Sequence, residues 1–198
     1  MNRTVFAAAA AIALASGSAS ADTEVVDGVE WTFTVSGGEA SVGGGDWETT
    51  AVPRSTTGAI SVPATLGGRP VTGIGEYAFR ECSGLTSVEI PASVKRIAPH
   101  AFYYCWELTS IAIPDGVAGI GGGAFWDCRK LTSVEIPASA THIEAWSFVG
   151  CSALSSIVVA DGEAEDAFDF DLPADGVWHW LRVRDGEDDV FSLWLRAE

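Results

Sequence analysis

The residues that most invite chemistry are four cysteines. Cys82, Cys105, Cys128 and Cys151 recur every 23 residues. Cysteine can supply disulfides, metal ligands or nucleophilic thiolates, and spacing decides among them. No Cys-x-x-Cys pair or clustered histidine accompanies them, which argues against zinc. Equal spacing instead gives each thiol the same place in successive repeats, one above the next. Adjacent parallel strands lie about 4.8 Å apart, within the Cα range that a disulfide allows. Parallel Cβ vectors work against its geometry. The spacing favours a column of free, buried thiols acting as small hydrophobes. Pairing of Cys82 with Cys105 and of Cys128 with Cys151 is the alternative.

The other reactive side chains do not assemble into a site. His100 and His142 fall at different phases of the repeat, and His179 lies outside it. No G-x-S-x-G elbow occurs. Glu89 and Glu135 share an outward strand position, but two repeats separate them and Ala112 lies between. Two strand spacings make about 10 Å, at or beyond the separation used by inverting glycosidases, on an open face. The carboxylates between Asp161 and Asp175 lack the D-x-[DN]-x-[DN]-G spacing of a calcium loop and read as a solvated linker. No catalytic residue, metal ligand or cofactor is assigned, and the chain reads as a non-enzyme. The better candidates are aromatics at variable positions of the repeat: Tyr77, Tyr103, Tyr104, Trp106, Trp126 and Trp146. Such side chains supply binding hot spots for proteins and stacking faces for sugars. The plainer alternative is that they cover the turn of the next repeat.

These residues are positioned by a repeat that spans residues 74–159. Phe79, Phe102, Phe125 and Phe148 recur with the period of the cysteines, as do Leu85, Leu108, Leu131 and Leu154. A period in this range marks a solenoid, whose units close a core only by stacking. Leu85-x-x-Val88-x-Ile90 reads as a strand with Val88 and Ile90 inward and Ser87 and Glu89 outward. Pro91, Pro114 and Pro137 end the strands. Phenylalanine and cysteine three apart predict a short helical turn before each strand. Ile60-Ser-Val62-Pro63 looks like half of an earlier, atypical rung with a five-residue insertion.

Both flanks read as β caps, since an open solenoid end exposes apolar surface and strand edge. Before the repeats, Val29, Trp31, Phe33 and Val35 alternate with polar residues. Ser36-Gly37-Gly38 then turns the chain into Ala40 and Val42. After them, 177–184 and 190–196 are β-prone runs around Asp185-Gly186, a second hairpin. The expected organisation is a signal peptide over 1–21, a β cap and loop over 22–59, one atypical and four regular rungs over 60–160, and an acidic linker with a hairpin cap over 161–198.

Charge and leader bound the partners. The formal net charge of −16 opposes nucleic acid and anionic membrane surfaces. Arg3, an apolar run over 5–15 and Ala19-Ser20-Ala21 form the three parts of a secretory leader, with a mature start near Asp22. The apolar run is far short of the about 20 residues that span a bilayer, and no later stretch is an anchor, so no membrane insertion is expected. Loss of Arg3 takes the charge from −16 to −17. The expected location is secreted, periplasmic or at the cell surface.

The rung I-x-x-x-A-F-x-x-C-x-x-L-x-x-V-x-I-P-x-x-V-x-x-I resembles the BspA-like class of leucine-rich repeats. The match is close over 74–159 and loose over 60–74. Ser147 replaces the alanine of the fourth rung, Ala140 the valine of the third, and Ala160 the fourth proline. The resemblance implies an α/β leucine-rich-repeat solenoid, mostly β and right-handed. It implies a secreted or surface protein that binds host or neighbouring-cell proteins, and no enzymatic activity. The expected partner is an extracellular protein, or alternatively a glycan, bound by a monomer. A purely structural solenoid is the third reading.

Overall fold

The computed structural model describes residues 21–144, 146–159, 177–185 and 189–197. The expected acidic linker, and the expected leader up to residue 20, lie outside the described residues. The chain is a mostly β solenoid with no helix among those residues. Two parallel ladders run its length. In one, the strands β7 (Gly84–Glu89), β9 (Ser110–Ala112), β11 (Ser133–Ile136) and β13 (Ser156–Val159) stack in register on one another and follow β4 (Thr57–Ser61), whose pairing with β7 shifts at Gly58 and Ala59. Ser87 faces Ser110 and Ser110 faces Ser133, a step of one period. The second ladder stacks β6 (Arg69–Ile74) with the two-residue strands β8 (Arg96–Ile97), β10 (Gly119–Ile120) and β12 (His142–Ile143). The short strand β5 (Thr65–Leu66) folds back on β6 across Gly67-Gly68.

The first end is built from more chain than the alternation pattern indicates. β2 (Val29–Ser36) and β3 (Glu39–Val42) form the expected antiparallel hairpin. β1 (Asp22–Val26) adds a third strand on β2. β3 then pairs in parallel with β6, so this unit continues the second ladder. The loop after β3 also enters the core: Ala51 and Val52 are buried. Ala51 N–H donates to the Ala78 carbonyl, the bond that Phe79 and Phe102 make to the next rung, so a plain loop completes the stack. At the other end β14 (Val177–Asp185) and β15 (Asp189–Ala197) pair antiparallel.

Inside, every phenylalanine, cysteine and leucine of the repeat is buried. The four phenylalanine rings stack face to face with centroids 5.0, 5.2 and 5.3 Å apart and planes within 6°. Trp31 closes the stack edge-on against Phe79 at 6.3 Å. All four cysteines are free. The thiols of Cys105, Cys128 and Cys151 donate to the carbonyls of Phe79, Phe102 and Phe125 at 3.0–3.2 Å, each in the rung before. Ser147, which stands in an alanine position, satisfies its hydroxyl by donating to the Gly121 and Glu144 carbonyls.

The expected helical turn is not helical. Within each turn, alternate N–H groups close i→i−3 bonds, as Ala78 to Gly75, Arg80 to Tyr77 and Cys82 to Phe79. The N–H groups between them leave the rung: Tyr77, Phe79 and Glu81 donate to Pro99, Ala101 and Tyr103 of the next one. A helix would keep all its donors to itself. The alternation needs left-handed backbone at two positions per turn, occupied by Tyr77 and Glu81, His100 and Tyr104, Gly123 and Asp127, and Trp146 and Gly150, all with φ between 54° and 75°.

Three outcomes follow from the stack. Phe125→Ala is expected to destabilise by about 3–5 kcal/mol, read from chemical denaturation; a change below about 1 kcal/mol would place Phe125 outside the core. Burial also pushes the Cys82 thiol up to about 12 and those of Cys105 and Cys128 well above the ordinary 9.0. Below pH 9 the thiols are protonated in both states. Above it the unfolded chain loses protons that the folded chain keeps, so stability falls from pH 9 toward 12, by up to about 1.4 kcal/mol per thiol and pH unit. Thiol labelling of the native protein is expected to be slow at all four sites and complete in denaturant, with rapid native labelling as the contrary result.

Candidate functional site

The left-handed turn positions carry most of an aromatic belt. A non-glycine residue there costs about 1–2 kcal/mol, and such cost persists only where surrounding bonds impose it. Tyr77, His100, Tyr104 and Trp146 occupy these positions, and Tyr103, Trp106 and Trp126 flank them. Their rings touch in sequence. Tyr77 stacks on His100 at 5.2 Å, and His100 meets Tyr103 edge-on at 5.5 Å. Tyr103 contacts Tyr104 at 4.1 Å and Trp126 at 6.2 Å. Tyr104 leads to Trp106 at 5.9 Å, and Trp126 to Trp146 at 6.4 Å. All six aromatic candidates of the sequence thus join one surface that crosses four rungs.

Exposure divides the belt. Tyr77, Tyr103, Tyr104 and Trp126 are half-buried, while Trp106 and Trp146 are 42% and 56% exposed. The half-buried rings do cover neighbouring turns, as the plainer alternative has it, but they leave faces and edges at the surface. The Tyr103 phenol is pushed up to about 12, first by the neighbouring Tyr104 hydroxyl and then by burial and the charge of Asp127.

Three members were not legible as such. Trp47 lies outside the repeat, in the loop after β3, yet its ring sits 4.7 Å from Tyr77 and 6.0 Å from Tyr103. It is 47% exposed and extends the belt toward the first end. Arg80 holds it there. The Arg80 guanidinium lies 3.5 Å from the Trp47 ring centre, donates to the Trp47 carbonyl at 2.7 Å and pairs with Glu81 at 2.8 Å. His100 is the third, placed between two tyrosines; Gly123 of the next rung, in left-handed backbone, makes room for it, since a Cβ there would lie 2.9 Å from the imidazole. Only the isolated tryptophan in a polar loop could have signalled any of this.

Nothing resembling catalytic machinery joins the belt. Glu89 and Glu135 lie on the outward face of the first ladder with Ala112 between them, and Glu89 accepts a hydrogen bond from Ser61. His142 is exposed on β12. No group of His, Cys, Asp and Glu able to hold a metal ion occurs among the described residues. No helix among them is long and apolar enough to cross a membrane.

The BspA type leucine-rich repeat region matches residues 69–165 in six copies. A solved leucine-rich repeat protein from Bacteroides capillosus shares 31% identity, with a TM-score of 0.57, over 70% of this chain and 98% of that one. The chain belongs to the BspA-type leucine-rich repeat family. A leucine-rich repeat protein of T. pallidum has the same fold, at 22% identity and a TM-score of 0.50, over 65% of this chain and 68% of that one. Among curated proteins none matches the chain. Leucine-rich repeat solenoid proteins are in general non-enzymatic binding or structural proteins.

The Arg80 clasp can be tested directly. Arg80→Gln is expected to free residues 43–54 for proteolysis and to lower stability by about 1–3 kcal/mol, because it breaks charged hydrogen bonds in a buried place. Unchanged cleavage would show that Trp47 is held by other means.

Proposed function

We propose that this BspA-type repeat protein is a secreted or surface recognition module that binds an extracellular protein through its aromatic belt, in an adhesive setting. The observation that carries the reading is the continuity of the belt across the rungs. Most of its members are tyrosine and tryptophan, the residues that bring large contact area at little loss of side-chain freedom. Half of each inner ring is already fixed against the solenoid wall, so a partner need not order it. Backbone strain gathered at the same positions supports the reading, since strain of this kind clusters at functional surfaces. The leader pattern at the N-terminus supports an extracellular setting.

The relative tilt of the rings favours protein over glycan. Neighbouring planes meet at 44° to 74° along the belt's edges. A sugar chain stacks best on flat faces presented in line, whereas a protein surface can fill angled clefts. The first ladder's outer face, made of Ser87, Glu89, Ser110, Ala112, Ser133 and Glu135, offers no comparable anchors.

The test is capture of a partner from the protein's extracellular surroundings, followed by affinity measurement with the purified pair. Replacing Trp126 and Trp146 together by alanine is expected to weaken binding by about 30-fold or more, the loss typical when hot-spot residues are truncated. A glycan array that responds to the same double change would transfer the belt to carbohydrate. If neither ligand class responds, the solenoid is structural.

A further inference from the structure

Two rings of the belt already receive a cation from the chain itself. Arg80 lies over Trp47, and the Arg129 guanidinium lies 5.5 Å from the Trp106 ring centre. Both guanidiniums are neutralised in place. Arg80 pairs with Glu81, and Arg129 makes a two-point contact with Asp127 at 2.8 and 3.1 Å. The third cation of this wall, Lys130, pairs with Glu107 at 2.7 Å.

In the far half of the belt, Trp126 and Trp146 meet edge-to-face, Trp146 is more than half exposed, and no guanidinium of residues 21–144 or 146–159 lies over either ring. Carboxylates lie near them along the chain. Asp127 follows Trp126 and comes close to Gly150 of the next rung; Glu144 lies two residues before Trp146 and accepts the Gly122 N–H at 2.9 Å. The chain as a whole carries 27 acidic against 11 basic residues.

We propose that Trp126 and Trp146 receive arginine side chains from a basic segment of the protein partner, in the manner that Trp47 receives Arg80. The inference rests on the reading of the belt as a protein-recognition surface and specifies the partner's chemistry. An indole face attracts cations, and the flat guanidinium stacks on it better than an ammonium does. The acidic field draws a basic segment in and repels acidic ones. Glu144, two residues from Trp146, supplies flanking negative charge for a bound arginine, whereas Asp127 is already paired with Arg129.

The test titrates the full chain with octa-arginine, octa-lysine and octa-glutamate by calorimetry. Octa-arginine is expected to bind more tightly than octa-lysine, and octa-glutamate not at all. Trp146→Ala leaves the net charge untouched and is expected to weaken octa-arginine binding about tenfold, while Trp146→Phe restores most of it. Trp146 is exposed, so the variant folds, and an unchanged thermal melt checks this. Equal affinity for both cationic peptides, or equal affinity of Trp146→Ala and the parent, would overturn the inference, because charge alone would then account for binding. The two claims separate cleanly. A captured partner lost on Trp126→Ala with Trp146→Ala, together with no response to octa-arginine, defeats this inference and leaves the protein-recognition reading intact.

Discussion

The constraint on which this structure depends is the sharing of backbone donors between rungs. An irregular turn buried against its neighbour would leave N–H groups without partners, at a cost that few proteins bear. Here the turns divide their donors. One group in two closes a bond at home, and the other reaches the carbonyl of the next rung. Elsewhere the flow reverses, as where Thr109 and Thr132 donate back to Thr86 and Thr109. Among the 23-residue rungs the scheme repeats because they have the same length and lie in register. The stacked phenylalanines and the thiol-to-carbonyl bonds then follow, since equivalent side chains have no other neighbours to meet.

That same sharing explains the aromatic wall. Donors can alternate inward and outward only if the backbone takes left-handed conformation twice per turn, and the chain mostly spends tyrosine, histidine, tryptophan and acidic residues there instead of glycine. Glycine would fit the backbone at less cost. The rings repay part of the strain by packing on one another across rungs. What remains exposed is a surface fixed by the core's own hydrogen bonds, which is why recognition and stability share residues along this face.

Much of the solenoid was legible because its signal is arithmetic. Phe79, Cys82 and Leu85 with their equivalents name the core columns, and Val88-x-Ile90-Pro91 names a strand and its end. The turn proves non-helical for a physical reason: a spacing of three between Phe79 and Cys82 fits one helical face and also fits a single i→i−3 turn, in which Cys82 N–H donates to the Phe79 carbonyl, and periodicity cannot tell them apart. The first end was harder still. Ala51 and Val52 are two small residues in a polar loop, yet they fill the place of a rung because the core beneath Ala78 is already shaped by its neighbours. β1 has no clean alternation, and Val25 is exposed. Trp47 and Arg80 meet across 33 residues, a pairing that no local pattern encodes.

The division of donors also gives the stack a direction. At the turns, hydrogen bonds point from each rung to the one after it, and the thiols point the opposite way. An interior rung therefore presents one set of groups below and the matching set above. Such a molecule can gain or lose a complete 23-residue unit in its middle and find every junction already made, whereas the loss of a single residue would break two junctions at once. Length is thus the property most free to vary, and the reach of the aromatic face varies with it.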